Sequence, residues 1–175
     1  AIHARQSIGI PCDVFELDLN LQTPGPECFV GIDAVIHLAG EPVSGSRWSA
    51  DRKQRIMDSR VKGSRHLLDA IEALDRVHRP KVIVSASAIG YYGDRGDEVL
   101  TDQSAPGSGF LSEVCQQWEA ETIKRTIPGV RQVALRLGVV LGRGGGALEE
   151  LIPLFGAGLG SALGNGSQWM SWVHL

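Results

Sequence analysis

Hydrophobic and polar positions along this chain follow two periods in turn, and their succession predicts an α/β fold. Residues 12–19 (CDVFELDL) alternate apolar and polar as an edge strand does, and the Pro-Gly-Pro of Pro24 to Pro26 closes that element. Ala34 to Leu38 (AVIHL) is a continuous apolar run, the signature of a strand covered on both faces of a parallel sheet. Ser49 is placed as an N-cap, and Met57, Val61, Ser64, Leu68 and Ile71 then recur at spacings of three and four, predicting one helix to about Leu74. Gly63 beside that stripe is expected to let the helix pack closely on the sheet. Val82, Ile83 and Val84 begin the next strand, and Leu111, Val114, Cys115 and Trp118 share one face of a helix reaching about Thr126. Gln132 to Leu141 reads as a further strand. A glycine-rich, patternless stretch covers Gly156 to Gly166, and β-type alternation resumes from Trp169 to Leu175. Strand, helix, strand in repetition implies a parallel sheet with right-handed crossovers.

Candidate chemistry falls where strands give way to small residues. In Val82 to Gly93 (VIVSASAIGYYG), Ser85 and Ser87 sit at the strand's carboxyl end, the end at which open α/β sheets bind ligands. A hydroxyl at Ser87 is suited to hydrogen-bonding a substrate oxygen; the plain alternative is a strand followed by a Gly-Tyr-Tyr-Gly turn. Ala39-Gly40-Glu41-Pro42 is a second tight turn, whose small residues let backbone approach a ligand. His37, just before it, reads as a satisfied core histidine rather than a catalytic one. Gly142 to Ala147 (GRGGGA) matches the G-x-G-x-x-A dinucleotide fingerprint, yet no strand with an acid follows about 20 residues later, so a flexible loop over a ligand is expected there.

Composition narrows the partners. The 175 residues, 43% hydrophobic and 21% charged, suit one ordinary globular domain. With a net charge of −3 and no basic cluster longer than Arg52-Lys53, neither nucleic acid nor an anionic membrane is expected as the main partner, and a small molecule is. Cys12, Cys28 and Cys115 form no CxxC and have no paired histidine, which predicts no metal site and a reducing, cytoplasmic setting. No apolar run approaches the roughly 20 residues of a membrane span, and no signal peptide is recognised. The chain opens on Ala1 rather than Met, so it is expected to begin inside a longer protein.

Seven motifs in order then carry a resemblance: HLAGEP (His37 to Pro42), RW (Arg47-Trp48), DSRVKGSRHL (Asp58 to Leu67), SASAIGYYGDRGDEVLT (Ser85 to Thr101), FLSEVCQQWE (Phe110 to Glu119), LRLGVVLGRGGGAL (Leu135 to Leu148) and QWMSWVHL (Gln168 to Leu175). The chain resembles the extended short-chain dehydrogenases/reductases, in particular their atypical NAD-dependent epimerase/dehydratase-like group. That resemblance implies a Rossmann-type, doubly wound parallel sheet over residues 1–141 and the start of a substrate lobe over 142–175. It implies NADP(H), favoured over NAD(H), against Leu38, Ala39, Gly40, Glu41, Arg60, Ser85, Ala86, Leu137, Gly138, Val139 and Val140, with Arg5 placed where relatives meet a 2′-phosphate. Ser87 matches the family's active-site serine, and Tyr91 and Tyr92 are the nearest phenols.

Two departures qualify what is carried over. Active relatives use a tyrosine and a lysine one helical turn apart as general acid/base; here Leu111 and Cys115 hold those positions. Cys115 is expected to be a buried, unreactive thiol, with no lysine or arginine within a turn on its face. Nothing before Ile8 supplies the family's opening strand and glycine-rich turn, so a sheet with exposed apolar edges is expected, and with it a homodimer or the remainder of the protein's own longer chain as partner. Two functions are therefore carried: an epimerase-like or oxidoreductase enzyme acting on a small polar substrate, with the 138–146 loop closing over it, and a non-catalytic cofactor-binding sensor or scaffold, which Leu111 favours.

Overall fold

The computed structural model describes residues 13–44, 47–142, 145–162 and 164–175. The readings placed on Arg5, Cys12 and the Arg143-Gly144 centre of the glycine motif lie outside the described residues.

Three parallel strands form the main sheet in the order β1 (Ala34–His37), β2 (Val82–Ala88), β3 (Arg131–Leu137). The register sets His37 beside Ser85, Ser87 beside Arg136 and Ala88 beside Leu137. Helix α1 (Ala50–Ala73) connects β1 to β2, and α2 (Phe110–Glu119) lies between β2 and β3. Ser49 caps α1 as expected, its hydroxyl accepting the Arg52 N–H at 3.2 Å. Both helices cover the face of β2 that carries Ile83, Ser85 and Ser87, each no more than 3% exposed. Phe29, Leu67, Leu68, Ile71, Ile83 and Ile127 close the core between α1 and the sheet. On the opposite face Ile36 is 69% and Leu135 46% exposed, so that side of the sheet is bare among the described residues.

Several expectations are corrected. Residues 13–19 form no strand, because no ladder among the described residues pairs with them; the Leu19 carbonyl instead accepts from His66 Nδ1 at 2.6 Å, and Asp18 anchors the turn that follows. The buried face of α1 is wider than the stripe read off the sequence: Ser64, Leu68 and Ile71 are buried as expected, Met57 and Val61 are half-buried at its margin, and Ile56, Gly63, Leu67 and Ala70 are buried beside them. Gly63 faces the 13–21 segment rather than the sheet, since a Cβ there would meet Leu19 at 3.6 Å. Helix α2 stops at Glu119 and gives way to a π turn, Ala120–Lys124. The single strand expected over 132–141 breaks at Gly138 into β3 and β4 (Val139–Leu141). Beyond it α3 (Gly146–Gly156) precedes β5 (Trp172–His174), which pairs with β4 in a separate two-stranded parallel sheet. The break has a steric cause: a Cβ on Gly138 would lie 2.7 Å from the Ser171 carbonyl oxygen, so only glycine lets those backbones pass.

Candidate functional site

The register brings the expected site residues to one end of the sheet. Leu38 to Glu41 leave β1, Ser85 to Ala88 end β2, and Leu137 to Val140 leave β3, side by side at the carboxyl ends of the three strands. Ser85 and Ser87 are buried, Ala86 is half-buried, and Leu38 and Gly40 are exposed.

At Ser87 the chain builds a continuous polar network. The Ser87 hydroxyl donates to Glu119 Oε1 at 2.6 Å. Arg136, beside Ser87 on β3, forks onto the same carboxylate, Nε to Oε1 and Nη2 to Oε2, each at 2.8 Å. Its Nη1 donates to the Tyr92 phenol oxygen at 2.9 Å, and Tyr92 donates to the Thr101 carbonyl at 2.9 Å. The Tyr91 ring lies over the guanidinium, 3.5 Å from centroid to Cζ, at right angles to the Tyr92 ring. Burial pushes the Glu119 carboxyl up, but the Arg136 fork and the Ser87 hydroxyl outweigh it, so the group titrates below its ordinary range. The same pairing, first with Glu119, drives the Arg136 guanidinium upward. Glu119 is therefore an anion, and the Ser87 hydrogen points at it; what Ser87 has left to offer is an oxygen lone pair.

Local structure explains why these groups meet. After β2 a 3₁₀ turn, Ile89–Tyr92, ends at Gly93, whose φ of 64° is a conformation glycine adopts without strain. The loop that follows folds back so closely that a Cβ on Gly107 would fall 1.9 Å from the Tyr92 carbonyl oxygen. The Gly107 N–H and the Ser112 hydroxyl both donate to the Tyr91 carbonyl, at 3.0 and 2.7 Å, clamping the turn to the start of α2. Glu119 is the last residue of α2, where the Thr122 hydroxyl donates back to the Trp118 carbonyl and the π turn begins, a device common beside functional groups.

The Ala39-Gly40 turn forms the second part of the site. Arg60, half-buried on α1, donates to the Glu41 carbonyl at 3.0 Å and lies over the Trp118 ring at 5.2 Å. Burial lowers the Arg60 guanidinium from its ordinary value. A Cβ on Gly40 would reach that guanidinium at 3.2 Å, so the glycine keeps an open backbone with a cation at its side. An exposed glycine turn flanked by an arginine at strand ends has the donor set an anionic dinucleotide needs, and the residues fit such a group. Ser85 does not share that surface: it is 1% exposed, and its hydroxyl has no partner among the described residues.

Cys115 is 4% exposed, and burial raises its thiol above the ordinary value. Its surroundings are less apolar than its own helix suggests, because Ser87 and Glu119 lie beside it and Arg60 reaches it from α1. His37 is buried with Nε2 at 3.2 Å from the Ser64 hydroxyl, a satisfied core histidine. Glu119 and Arg136 were missed as functional residues in the sequence. The available signal was that Glu119 continues the Leu111, Cys115 spacing by one more turn and that Arg136 interrupts an apolar strand.

Beside the network, a cavity of about 880 Å³ opens between the turn after β2 and the 165–171 segment, with Tyr92, Asp94, Asp97 and Trp169 among its walls. The Trp169 indole N–H donates to Asp97 at 2.7 Å and ties the two sides together. A hollow of about 560 Å³ at the opposite end of the strands is edged by the exposed Asp33–Lys81 pair and lies away from these groups. No helix of the described residues is long and apolar enough to cross a membrane.

Comparison with known proteins agrees with this architecture. The profile of the NAD dependent epimerase/dehydratase family matches residues 5–175. The chain is 43% identical over 148 residues to the chloroplastic epimerase family protein SDR39U1 homolog of Arabidopsis thaliana, covering 85% of this chain and 42% of that protein. Among solved structures it is similar to human epimerase family protein SDR39U1, isoform 2, with NADPH (TM-score 0.74, 33% identity), across 82% of this chain and 49% of that one. It is also similar to a nucleoside-diphosphate sugar epimerase from Corynebacterium glutamicum (TM-score 0.66, 33% identity), covering 87% and 31%. The chain thus spans about half the length of the relatives it matches. With the parallel α/β sheet, the strand-end serine and the glycine turn in place, the chain belongs to the NAD dependent epimerase/dehydratase family.

Proposed function

We propose that this chain supplies the NADP(H)-binding, Ser87-bearing part of an oxidoreductase or epimerase-like enzyme that acts on a small polar substrate. The observation that carries this reading is the Ser87–Glu119–Arg136–Tyr92 network at the same strand ends as the open Gly40 turn and its arginine. A nicotinamide held there would give or take a hydride. Ala39, Gly40 and Arg60 hold the dinucleotide in this reading, with Leu38, Glu41, Ala86 and residues 137–140 forming the rest of its bed. NADP(H) is preferred to NAD(H) because the human relative, similar along most of this chain, is described with NADPH. The division between a cofactor-binding part, residues 1–141, and a substrate lobe from residue 142 belongs to the same proposal, with β4 (Val139–Leu141) joining the two through its ladder with β5.

The full-length protein should quench or shift NADPH fluorescence. Gly40→Val should abolish that response, because the added side chain presses on the Arg60 guanidinium and occupies the open turn. An unchanged titration in the Gly40→Val protein would overturn the assignment. A second reading, a cofactor-binding sensor or scaffold without turnover, is favoured by Leu111 and by the buried, protonated thiol of Cys115, neither of which moves a proton. NADPH consumption separates the two: binding without consumption supports the sensor.

A further inference from the structure

Ser87 is 3% exposed and its hydrogen is directed at Glu119, which is itself forked by Arg136. None of these three groups lines the 880 Å³ cavity, whereas Tyr92 does. The phenol oxygen receives a charge-assisted N–H from Arg136, and its own hydrogen rests on the carbonyl of Thr101, an exposed residue. Arg136 is held by the Glu119 carboxylate, the Tyr91 ring face, the Tyr92 oxygen and the Asp102 carbonyl, which accepts from the same Nη1 at 3.2 Å. Arg95, which lines the cavity, is forked onto Glu98 at 2.8 and 2.7 Å.

Resting on the reading above, we propose that Tyr92 is the proton-transfer residue of this site and that Arg136, fixed by Glu119 and Ser87, is its positioning residue. A guanidinium does not release its proton, so within this pair the phenol is the donor. In reduction of a carbonyl, the substrate oxygen takes the place of the Thr101 carbonyl as acceptor, and the Tyr92 O–H bond breaks as an O–H bond forms on that oxygen. The electron pair left on the phenol oxygen is met by the Arg136 N–H already aimed at it; a reduced nicotinamide, if held by the Gly40 turn and Arg60, would supply the hydride that balances the reduction. The reverse direction returns the proton to the Tyr92 oxygen as the substrate hydroxyl is oxidised. The guanidinium serves Glu119 and Tyr92 through different nitrogens at once, so a lysine in its place keeps the charge and only part of this arrangement.

The test uses the full-length protein with NADPH and phenanthrenequinone as a carbonyl probe. Tyr92→Phe should lower kcat at least tenfold below Tyr91→Phe while leaving NADPH binding by fluorescence unchanged. Arg136→Lys should retain more turnover than Arg136→Gln, with the loss in kcat rather than KM. Nitrogen NMR of the Arg136 guanidinium gives a readout independent of turnover: Tyr92→Phe should shift the Nη1 protons and spare those facing Glu119. Full turnover in Tyr92→Phe overturns the proposal, as does an unshifted Nη1 signal. If wild-type protein binds NADPH but consumes none with the quinone, the proton-transfer assignment falls while the cofactor reading stands. Failure to bind NADPH sinks the cofactor reading, and the guanidinium spectrum still decides whether Tyr92 and Arg136 are paired.

Discussion

The residue whose environment has the plainest thermodynamic consequence is His37. It is 4% exposed, and burial lowers its imidazole from the ordinary value to about 4. The folded chain therefore holds this ring neutral through a range in which the unfolded chain, titrating at about 6.5, binds a proton. Above the unfolded value the group contributes nothing to pH dependence; as pH falls from there toward the folded value, stability is lost. The loss at about pH 5 amounts to roughly 2 kcal/mol. Urea unfolding at about pH 7 and about pH 5 should show that difference in the wild type and a smaller one in His37→Gln, whatever the substitution costs at neutral pH. Equal pH dependence in the two proteins would mean that the ring is hydrated in the fold. His37 was legible from its place in an apolar strand. The Ser87 partnership was not, because Glu119 and Arg136 lie 32 and 49 residues further along the sequence, and only the packing of α2 on the sheet and the register of β2 against β3 bring them to Ser87.

At the scale of elements, periodicity identified those that bury a face and missed those shaped by a neighbour. Ser49 and the stripe along α1, the apolar runs of β1 and β2, and the face shared by Val114, Cys115 and Trp118 all appear where local pattern places them. Residues 13–19 alternate like a strand yet lack a ladder, and alternation alone satisfies no backbone group. The break between β3 and β4 depends on residues 171 and 172, far along the chain, which is why a continuous apolar run concealed it. Gly138→Ala tests that account. Its Cβ would fall 2.7 Å from the Ser171 oxygen and 2.9 Å from the Ser171 carbonyl carbon, both backbone atoms. Relief requires parting the Val139 N–H from the Ser171 carbonyl, a 2.9 Å bond. The substitution should cost about 1–3 kcal/mol, as overpacking does. Hydrogen–deuterium exchange should speed up in the 139–141 and 172–174 segments and stay unchanged in β1 and β2; unaltered exchange in all four would show that the two sheets separate for another reason.

For the molecule as a whole, the sequence carried the α/β class and the expectation of apolar sheet edges, whereas the strands read as covered on both faces leave one face bare among the described residues. Ile36 on β1 lines up with Val84 and Val133, and Leu135 lines up with Ala86, on the side of the sheet turned away from α1 and α2. Ile36, Leu38 and Leu135 are 69%, 67% and 46% exposed, and β1 has no second ladder partner among the described residues. A contiguous apolar face beside an open strand edge is a template for association, because pairing the edge and covering the face both lower the free energy. Each fully covered Ile or Leu contributes roughly 1.5–3 kcal/mol relative to exposure, so a few such side chains outweigh much of the entropy lost on association. The 175-residue chain made by itself should therefore sediment as dimers or larger species whose proportion rises with concentration. Ile36→Lys together with Leu135→Lys should shift it toward monomer without loosening the core, since both side chains already face outward. A wild-type chain that stays monomeric across the concentration series, with a sharp cooperative melt, would show that this face is covered by residues of its own chain.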